Sequence, residues 1–156
     1  MKANVFAVQT ETDPEDPEGY RAGAAKLGPR IGAREMGGSI YDLPPGQSIC
    51  PYHFEYGTEE WLIVLQGRPV LRRAEGDEEV EEELEPGDTM CFPRGPSGAH
   101  KVTNRTAEPV RVLMLSTMPE IDVSYYPDSG KFGVWPAADE GFLVRRESGV
   151  DYYDGE

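Results

Sequence analysis

The stretch that decides the fold is Gly46–Gly67, GQSICPYHFEYGTEEWLIVLQG. Its second half predicts a β-strand over Glu60–Gln66, and side chains alternate between the two faces of a strand. Glu60 therefore shares one face with Leu62, Trp61 lies on the other, and both faces are otherwise largely apolar. Because each apolar face needs a cover, we expect one to line a barrel interior and the other to lie under an arm, a second sheet or a second subunit.

Short strands punctuated by Gly and Pro turns continue on both sides of this stretch. They are predicted over Ser39–Leu43, Ile49–Tyr56, Pro69–Ala74, Glu78–Leu84, Thr89–Phe92, His100–Asn104 and Val110–Thr117. Strands at intervals of about 8–12 residues indicate an all-β sandwich or barrel.

Composition divides the chain into three parts, which we predict to be an N-terminal arm over 1–38, a barrel over 39–118 and a C-terminal extension over 119–156. Pro14 and Pro17 exclude a helix from the start of the arm, and Pro29 interrupts the next stretch, which leaves at most a strand around Ile31–Met36. The extension is rich in aromatic residues without a clear period. We expect it to pack on the barrel or on a partner.

The charge balance excludes two classes of partner. The 156 residues carry 15 basic and 29 acidic side chains, a net charge of −14, which disfavours nucleic acid and anionic membrane surfaces. Apolar runs are too short for a membrane helix or a signal peptide, so we expect a cytoplasmic protein whose Cys50 and Cys91 are free thiols. The acidic run Glu75–Asp88 lacks the EF-hand spacing and predicts a solvated hairpin that protects a sheet edge.

Four metal-ligand side chains are candidates for the chemistry: His53, Glu55, Glu60 and His100. His53 and Glu55 lie two apart on one predicted strand face, Glu60 begins the next strand, and His100 opens a later one. Imidazole and carboxylate together suit zinc, manganese, iron(II), nickel or copper. The spacing leaves open that the two histidines, the only ones in the sequence, are structural or surface residues.

The sequence resembles the cupins in two motifs. The first reads Gly46-QSICPY-His53-F-Glu55-YGTE-Glu60-WLIVLQ-Gly67, and the second reads Gly87-DTMCF-Pro93-R-Gly95-PSGA-His100-KVT-Asn104. The resemblance implies a double-stranded β-helix, an antiparallel barrel of jelly-roll type, with His53, Glu60 and His100 as metal ligands. Cupins include dioxygenases, decarboxylases, isomerases and metal-free epimerases, as well as storage and ligand-sensing proteins, so the fold does not settle the function.

Glu55 departs from the family pattern, because it stands where the pattern has its second histidine. Two histidines and two glutamates leave a divalent ion neutral, which weakens it as a Lewis acid and favours manganese, iron(II) or zinc. The alternative is an empty pocket in which Glu55 and Glu60 share a proton or pair with a protonated histidine. A Cys50–His53 nucleophile pair is disfavoured, because residues three apart on a strand lie on opposite faces; Cys91 is expected to be a small buried residue.

Two classes of function remain open. One is a metal-dependent enzyme of isomerase, dioxygenase or decarboxylase type on a small polar molecule, with Glu55 as fourth ligand or general base. The other is a metal-free, non-catalytic binding module for a sugar-like compound. Arg94, in the turn of the second motif, is either a contact for an anionic ligand or a surface residue.

A homodimer is the expected assembly. If Glu60 and His53 point inward, Trp61, Ile63 and Phe54 form an apolar outer patch, and large exposed patches are uncommon on monomers. The resemblance implies a two-fold pair whose terminal segments cross to the neighbour. Cover by the C-terminal aromatic residues of the same chain is the alternative.

Overall fold

The computed structural model describes residues 1–136 and 140–156, and nearly all of the regular structure is β. In chain order the strands are β1 (Gly23–Lys26), β2 (Met36–Leu43), β3 (Phe54–Glu55), β4 (Glu60–Gln66), β5 (Val70–Glu75), β6 (Glu78–Glu83), β7 (Thr89–Phe92), β8 (His100–Thr103), β9 (Val110–Thr117), β10 (Ile121–Tyr126), β11 (Lys131–Pro136) and β12 (Phe142–Arg145). The helix α1 (Gly28–Ile31) and two 3₁₀ turns, Pro96–Gly98 and Arg146–Ser148, complete the described elements.

The strands form three antiparallel sheets in the orders β1-β2-β9-β4-β7, β12-β11-β10-β3 and β6-β5-β8. This is a double-stranded β-helix of jelly-roll type, and the predicted fold class is confirmed. The helices are too short to cross a membrane in the parts of the chain that the structure describes.

The core lies between the five-stranded and three-stranded sheets. Leu62 and Val64 from β4 are fully buried there with Leu71 and Val102 from the facing sheet. Glu60 belongs to the same side of β4, so its carboxylate is carried toward the barrel interior. The outer side of β4 packs in part on the N-terminal arm, where Leu65 contacts a second apolar cluster.

The N-terminal arm holds more regular structure than its prolines predict. Strand β1 pairs with β2 along its length. Pro29 is the second residue of α1 and does not interrupt it, because proline is tolerated in the first turn of a helix. Gly32, at φ 79°, ends that helix in the left-handed conformation that glycine adopts readily. The predicted strand over Ile31–Met36 is therefore wrong except at its last residue.

The predicted strand over Ile49–Tyr56 is also wrong, because Phe54–Glu55 alone is strand. The C-terminal extension is not irregular: its strand β10 pairs with β3, setting Tyr125 opposite Phe54. This pairing buries Tyr52 and Phe54, so Phe54 does not belong to the outer apolar patch. The acidic hairpin is β5–β6, with β6 at the edge of its sheet.

Candidate metal centre

His53 and His100 face each other across two neighbouring chain segments. Each backbone N–H donates to the other residue's carbonyl oxygen, at 3.2 Å from His53 and 2.9 Å from His100. Directly opposed residues of an antiparallel pair project to the same face. The two rings consequently lie together inside the barrel, with centroids 4.8 Å apart.

Both rings are oriented through Nδ1. The Nδ1 of His53 lies 2.9 Å from the Pro51 carbonyl oxygen, and the Nδ1 of His100 lies 2.9 Å from the Gly98 carbonyl oxygen. Since a carbonyl oxygen only accepts, each Nδ1 is the donor, and a neutral ring then has its lone pair on Nε2. A histidine that binds a metal through one nitrogen commonly donates the other N–H in this way.

Glu60, the first residue of β4, approaches from the five-stranded sheet. Its Oε2 lies 3.4 Å from His100 Nε2, yet that buried nitrogen makes no hydrogen bond to any residue that the structure describes. One ligand atom from each of His53, Glu60 and His100 lies within 4.8 Å of the others. After small side-chain shifts, a single ion with bonds of about 2.0–2.2 Å would join the three.

Glu55 is close to the cluster without belonging to it. Its Oε1 lies 3.1 Å from His53 Nε2, and it lines the same cavity, but the mutually close set is His53, Glu60 and His100. Of the four side chains singled out in the sequence, the structure thus brings three together and sets the fourth against His53.

Burial and charge give these groups contrasting pKa values. Burial lowers the pKa of His100 to about 3, and the charge on His53 adds to the effect. Burial also raises the pKa of Glu60 to about 8, with a further contribution from the Glu55 carboxylate. For His53, burial lowers the pKa, but Cys50 and Glu55 outweigh burial and raise it above the usual value. Without a cation, protons on His53 and Glu60 therefore offset the negative charge of the two carboxylates at neutral pH.

The cluster lines an inner cavity of about 210 Å³. Its other walls are Glu55, Tyr41, Ile49, Cys50, Val102 and Met114. Aromatic rings support both imidazoles from outside the cavity: Phe92 stacks on His100 with centroids 3.8 Å apart, and Tyr126 stacks on His53 at 5.6 Å. The sequence indicated neither role, although Phe92 pairs with Glu60 across β7 and β4.

The prediction that Cys50 faces away from His53 is wrong. Its Sγ lies 3.5 Å from His53 Nδ1, because the chain bends between residues 49 and 53 instead of alternating as a strand. Cys91 is exposed rather than buried, and both cysteines are free. Arg94 is exposed and is not among the residues that line the inner cavity.

Known proteins resemble this chain in fold. A solved structure from Acidithiobacillus ferrooxidans, named provisionally as a sugar phosphate isomerase, is 25% identical with a TM-score of 0.79, covering 94% of this chain and 91% of that one. A sugar phosphate isomerase of the cupin superfamily from Silicibacter pomeroyi is 23% identical with a TM-score of 0.81, covering 99% and 98%.

A third solved structure is oxalate decarboxylase of Bacillus subtilis, whose centres hold Mn(II). It is 22% identical with a TM-score of 0.55, covering 73% of this chain and 30% of that one. No curated protein matches the chain. The cupin domain profile matches residues 39–116, which is half of the sequence. Together with the antiparallel barrel, this match shows that the chain belongs to the cupin domain family.

Proposed function

We propose that this cupin is a metal-dependent enzyme that holds a divalent ion through His53, Glu60 and His100 and isomerises a small hydroxylated carbonyl compound of the sugar phosphate class. The observation that carries the metal is His100 Nε2, a buried lone pair without a hydrogen-bond partner in the described residues, 3.4 Å from a carboxylate oxygen. A buried nitrogen without a hydrogen-bond partner reduces the stability of the fold unless a cation or a proton lies between it and the carboxylate oxygen.

Each side chain has a distinct role in the proposal. The two histidines present Nε2 while backbone carbonyls hold their Nδ1 atoms, and Glu60 supplies the anionic ligand. Manganese, iron(II), zinc and nickel all suit this donor set. A bound divalent ion supplies Lewis acidity at a carbonyl oxygen of the substrate.

Glu55 is the proposed general base. It lines the cavity and contacts His53 Nε2 without joining the mutually close cluster. Once His53 uses that nitrogen as a ligand, Glu55 becomes free either to coordinate as a fourth ligand or to move a proton between neighbouring carbons of the substrate. Moving a proton next to a carbonyl is the reaction that interconverts an aldose and a ketose.

The isomerase assignment is supported by the provisionally named sugar phosphate isomerase that is 25% identical over 94% of this chain. A second candidate is a metal-free binding module for a sugar-like compound. The contact of 3.1 Å between His53 and Glu55 favours it, because that ion pair compensates part of the buried charge without a metal.

Elemental analysis of protein purified without chelators or nickel affinity separates the two candidates. The enzyme proposal expects a stoichiometric transition metal that is lost in His100→Ala and Glu60→Gln and retained in Glu59→Gln, an exposed carboxylate next to Glu60. Wild-type protein without metal that also fails to bind added Mn²⁺ or Zn²⁺ supports the binding module.

The role of Glu55 has its own measurement. With aldose and ketose phosphates in D₂O, the wild type is expected to incorporate deuterium next to the carbonyl, detected by NMR. Glu55→Gln should abolish this exchange while it retains the metal. Exchange at the wild-type rate in Glu55→Gln assigns the proton transfer to another group.

A further inference from the structure

A second cavity adjoins the inner one and has no role in the proposal above. It measures about 580 Å³ and lies toward the surface, and Ile49 and Cys50 belong to the walls of both cavities. Tyr126, which stacks on His53, also lines this outer cavity. The two cavities therefore lie side by side, with Ile49 and Cys50 in the wall that they share.

The inner cavity alone is small for a sugar phosphate. Its 210 Å³ falls below the range of about 300–1,000 Å³ that small-molecule pockets commonly span. Addition of the outer cavity brings the site well into that range. The two cavities thus suit a ligand with one end at the histidines and the other near the surface.

Three tyrosines from separate parts of the chain line the outer cavity: Tyr20 from the N-terminal arm, Tyr52 before β3, and Tyr126 from β10. Aromatic faces give a ring of carbon atoms an apolar contact while their hydroxyl groups remain available to polar partners. Asp16 on the same wall is an acceptor for hydroxyl groups of a ligand. These walls favour a hydroxylated organic body.

The charged groups at this cavity differ in how they are paired. Arg72, whose guanidinium lies 3.9 Å from the centre of the Tyr52 ring, is held by Asp128 and Glu79 through bonds of 2.6–2.9 Å. Arg72 therefore shares its single positive charge between Asp128 and Glu79, and the three groups together keep a net charge of −1. Lys131 lines the cavity with its Nζ 5.4 Å from the centre of the Tyr126 ring.

The ammonium of Lys131 has no carboxylate within 4.0 Å among residues 1–136 and 140–156. Lys101 is not part of this lining, but its Nζ lies 3.3 Å from the hydroxyl of Tyr20, which is. All four lysines of the chain lack such a partner in the described residues, and Lys131 is the one that lines the outer cavity. Its position favours an anionic group of a ligand.

We infer that the outer cavity holds the phosphate end of the substrate, with Lys131 as the phosphate contact and the tyrosines around the sugar carbons, while the carbonyl end lies at the metal-ligand cluster. This inference rests on the proposed function, because it places the two ends of a substrate of the proposed class in the two cavities. Lys131 is accordingly a specificity-determining residue that separates a phosphorylated sugar from its neutral counterpart.

The test is isothermal titration calorimetry with matched probes on the intact protein: ribose 5-phosphate against ribose, and glucose 6-phosphate against glucose. We expect at least one phosphorylated probe to bind about ten-fold or more tightly than its neutral partner, since only the phosphate forms a charge-assisted hydrogen bond with Lys131. Lys131→Gln should remove that difference. Lys131→Arg should preserve most of it, and Lys26→Gln, an exposed lysine outside both cavities, should leave it unchanged.

Equal binding of both members of each pair by the wild type, no binding of any probe, or an unchanged preference in Lys131→Gln overturns the inference. Metal content is measured on the same samples. Protein that binds no metal even after addition of Mn²⁺ or Zn²⁺, yet keeps a Lys131-dependent preference, refutes the proposed enzyme and supports the outer site. Metal-loaded protein without the preference supports the metal centre and refutes the outer site.

Discussion

At the scale of single residues, the candidate site is defined by which of its two imidazoles and two carboxylates carry protons. His100 stays neutral over the physiological pH range because its pKa is about 3. His53 and Glu60 have raised pKa values and hold protons that a metal must displace. Occupation of the site is therefore coupled to proton release.

The apparent affinity for Mn²⁺ or Zn²⁺ should rise with pH. Glu60 has a pKa of about 8, so below that pH its proton competes with the ion, and affinity should fall about ten-fold per pH unit for each proton displaced. Calorimetry between about pH 6 and pH 8, in buffers of different ionisation enthalpy, counts the released protons. An affinity that does not vary with pH would contradict this account of the site.

As a fourth ligand, Glu55 would set the net charge of the centre. Replacement by histidine restores the family pattern and changes the net charge with a divalent ion from neutral to +1. We expect Glu55→His to retain metal and to bind zinc or nickel at least as tightly as the wild type, measured by competition with a chelator. Glu55→Gln is the control of similar size without a strong ligand, and loss of metal in the histidine variant alone would exclude position 55 from the ligand sphere.

At the scale of elements, a short turn over residues 56–59 connects the two strands that hold the candidate carboxylates. Glu55 ends β3 and Glu60 begins β4, and between them Gly57 and Thr58 are tied to strand β10. The Asp122 carboxylate accepts hydrogen bonds from the Gly57 N–H at 2.8 Å and from the Thr58 hydroxyl. The C-terminal extension therefore positions the site.

Asp122→Ala should destabilise the protein and weaken metal binding together. Loss of the acceptor leaves the Gly57 N–H and the Thr58 hydroxyl unpaired, at a cost of about 1–3 kcal/mol in the free energy of unfolding, measured with urea. Glu120→Gln, an exposed carboxylate two residues away, should change that free energy by less than about 0.5 kcal/mol. A stable Asp122→Ala protein with unchanged metal affinity would refute the positioning role.

The strands that the sequence predicted best are those with one clear inside face. Glu60–Gln66, Thr89–Phe92 and Val110–Thr117 have the predicted bounds, because apolar residues and flanking Gly or Pro turns agree there. The prediction failed at Ile49–Tyr56, where Pro51 has no N–H to donate to a ladder and the chain bends. That bend brings Cys50 to His53, a contact that alternation could not reveal.

The C-terminal strands escaped prediction for a different reason. Along β10 and β11 most side chains are half-buried, and along β12 all four are exposed, so inward and outward positions do not contrast. The candidate site depended on pairing between distant segments. The two-residue spacing predicted that Glu55 lies on the same strand face as His53. The prediction that His100 lies near them rested on the family resemblance, because no local pattern indicates it.

At the scale of the whole molecule, the two terminal segments cover different sides of the barrel. The arm packs Val8 and Leu27 over the outer side of the five-stranded sheet, against Leu65 and Leu113. The extension packs at β3, beside the candidate site. The division into 1–38, 39–118 and 119–156 stays a prediction, but both flanking segments contribute strands to the sheets of the barrel.

In the parts of the two segments that the structure describes, no residue covers the five-stranded sheet around Trp61. The side chains of Met36, Trp61 and Met118 are 51%, 46% and 59% exposed. A depression of about 250 Å³ runs between Met36, Trp61 and Leu115. The alternative to a partner was that C-terminal aromatic residues cover this face. The C-terminal residue Tyr125 packs in the cluster of Phe54 instead.

We therefore expect a homodimer that buries Trp61. Association of two copies buries the exposed apolar face of each subunit. This burial contributes about 25 cal/mol of favourable free energy per Å² of apolar area. Light scattering at micromolar concentration should give twice the mass of the chain, and Trp61→Glu should give a folded monomer. Tyr152→Glu, at a side chain that is 86% exposed outside this face, should leave the dimer intact. A monomeric wild type whose Trp61 is open to soluble quenchers would exclude the dimer.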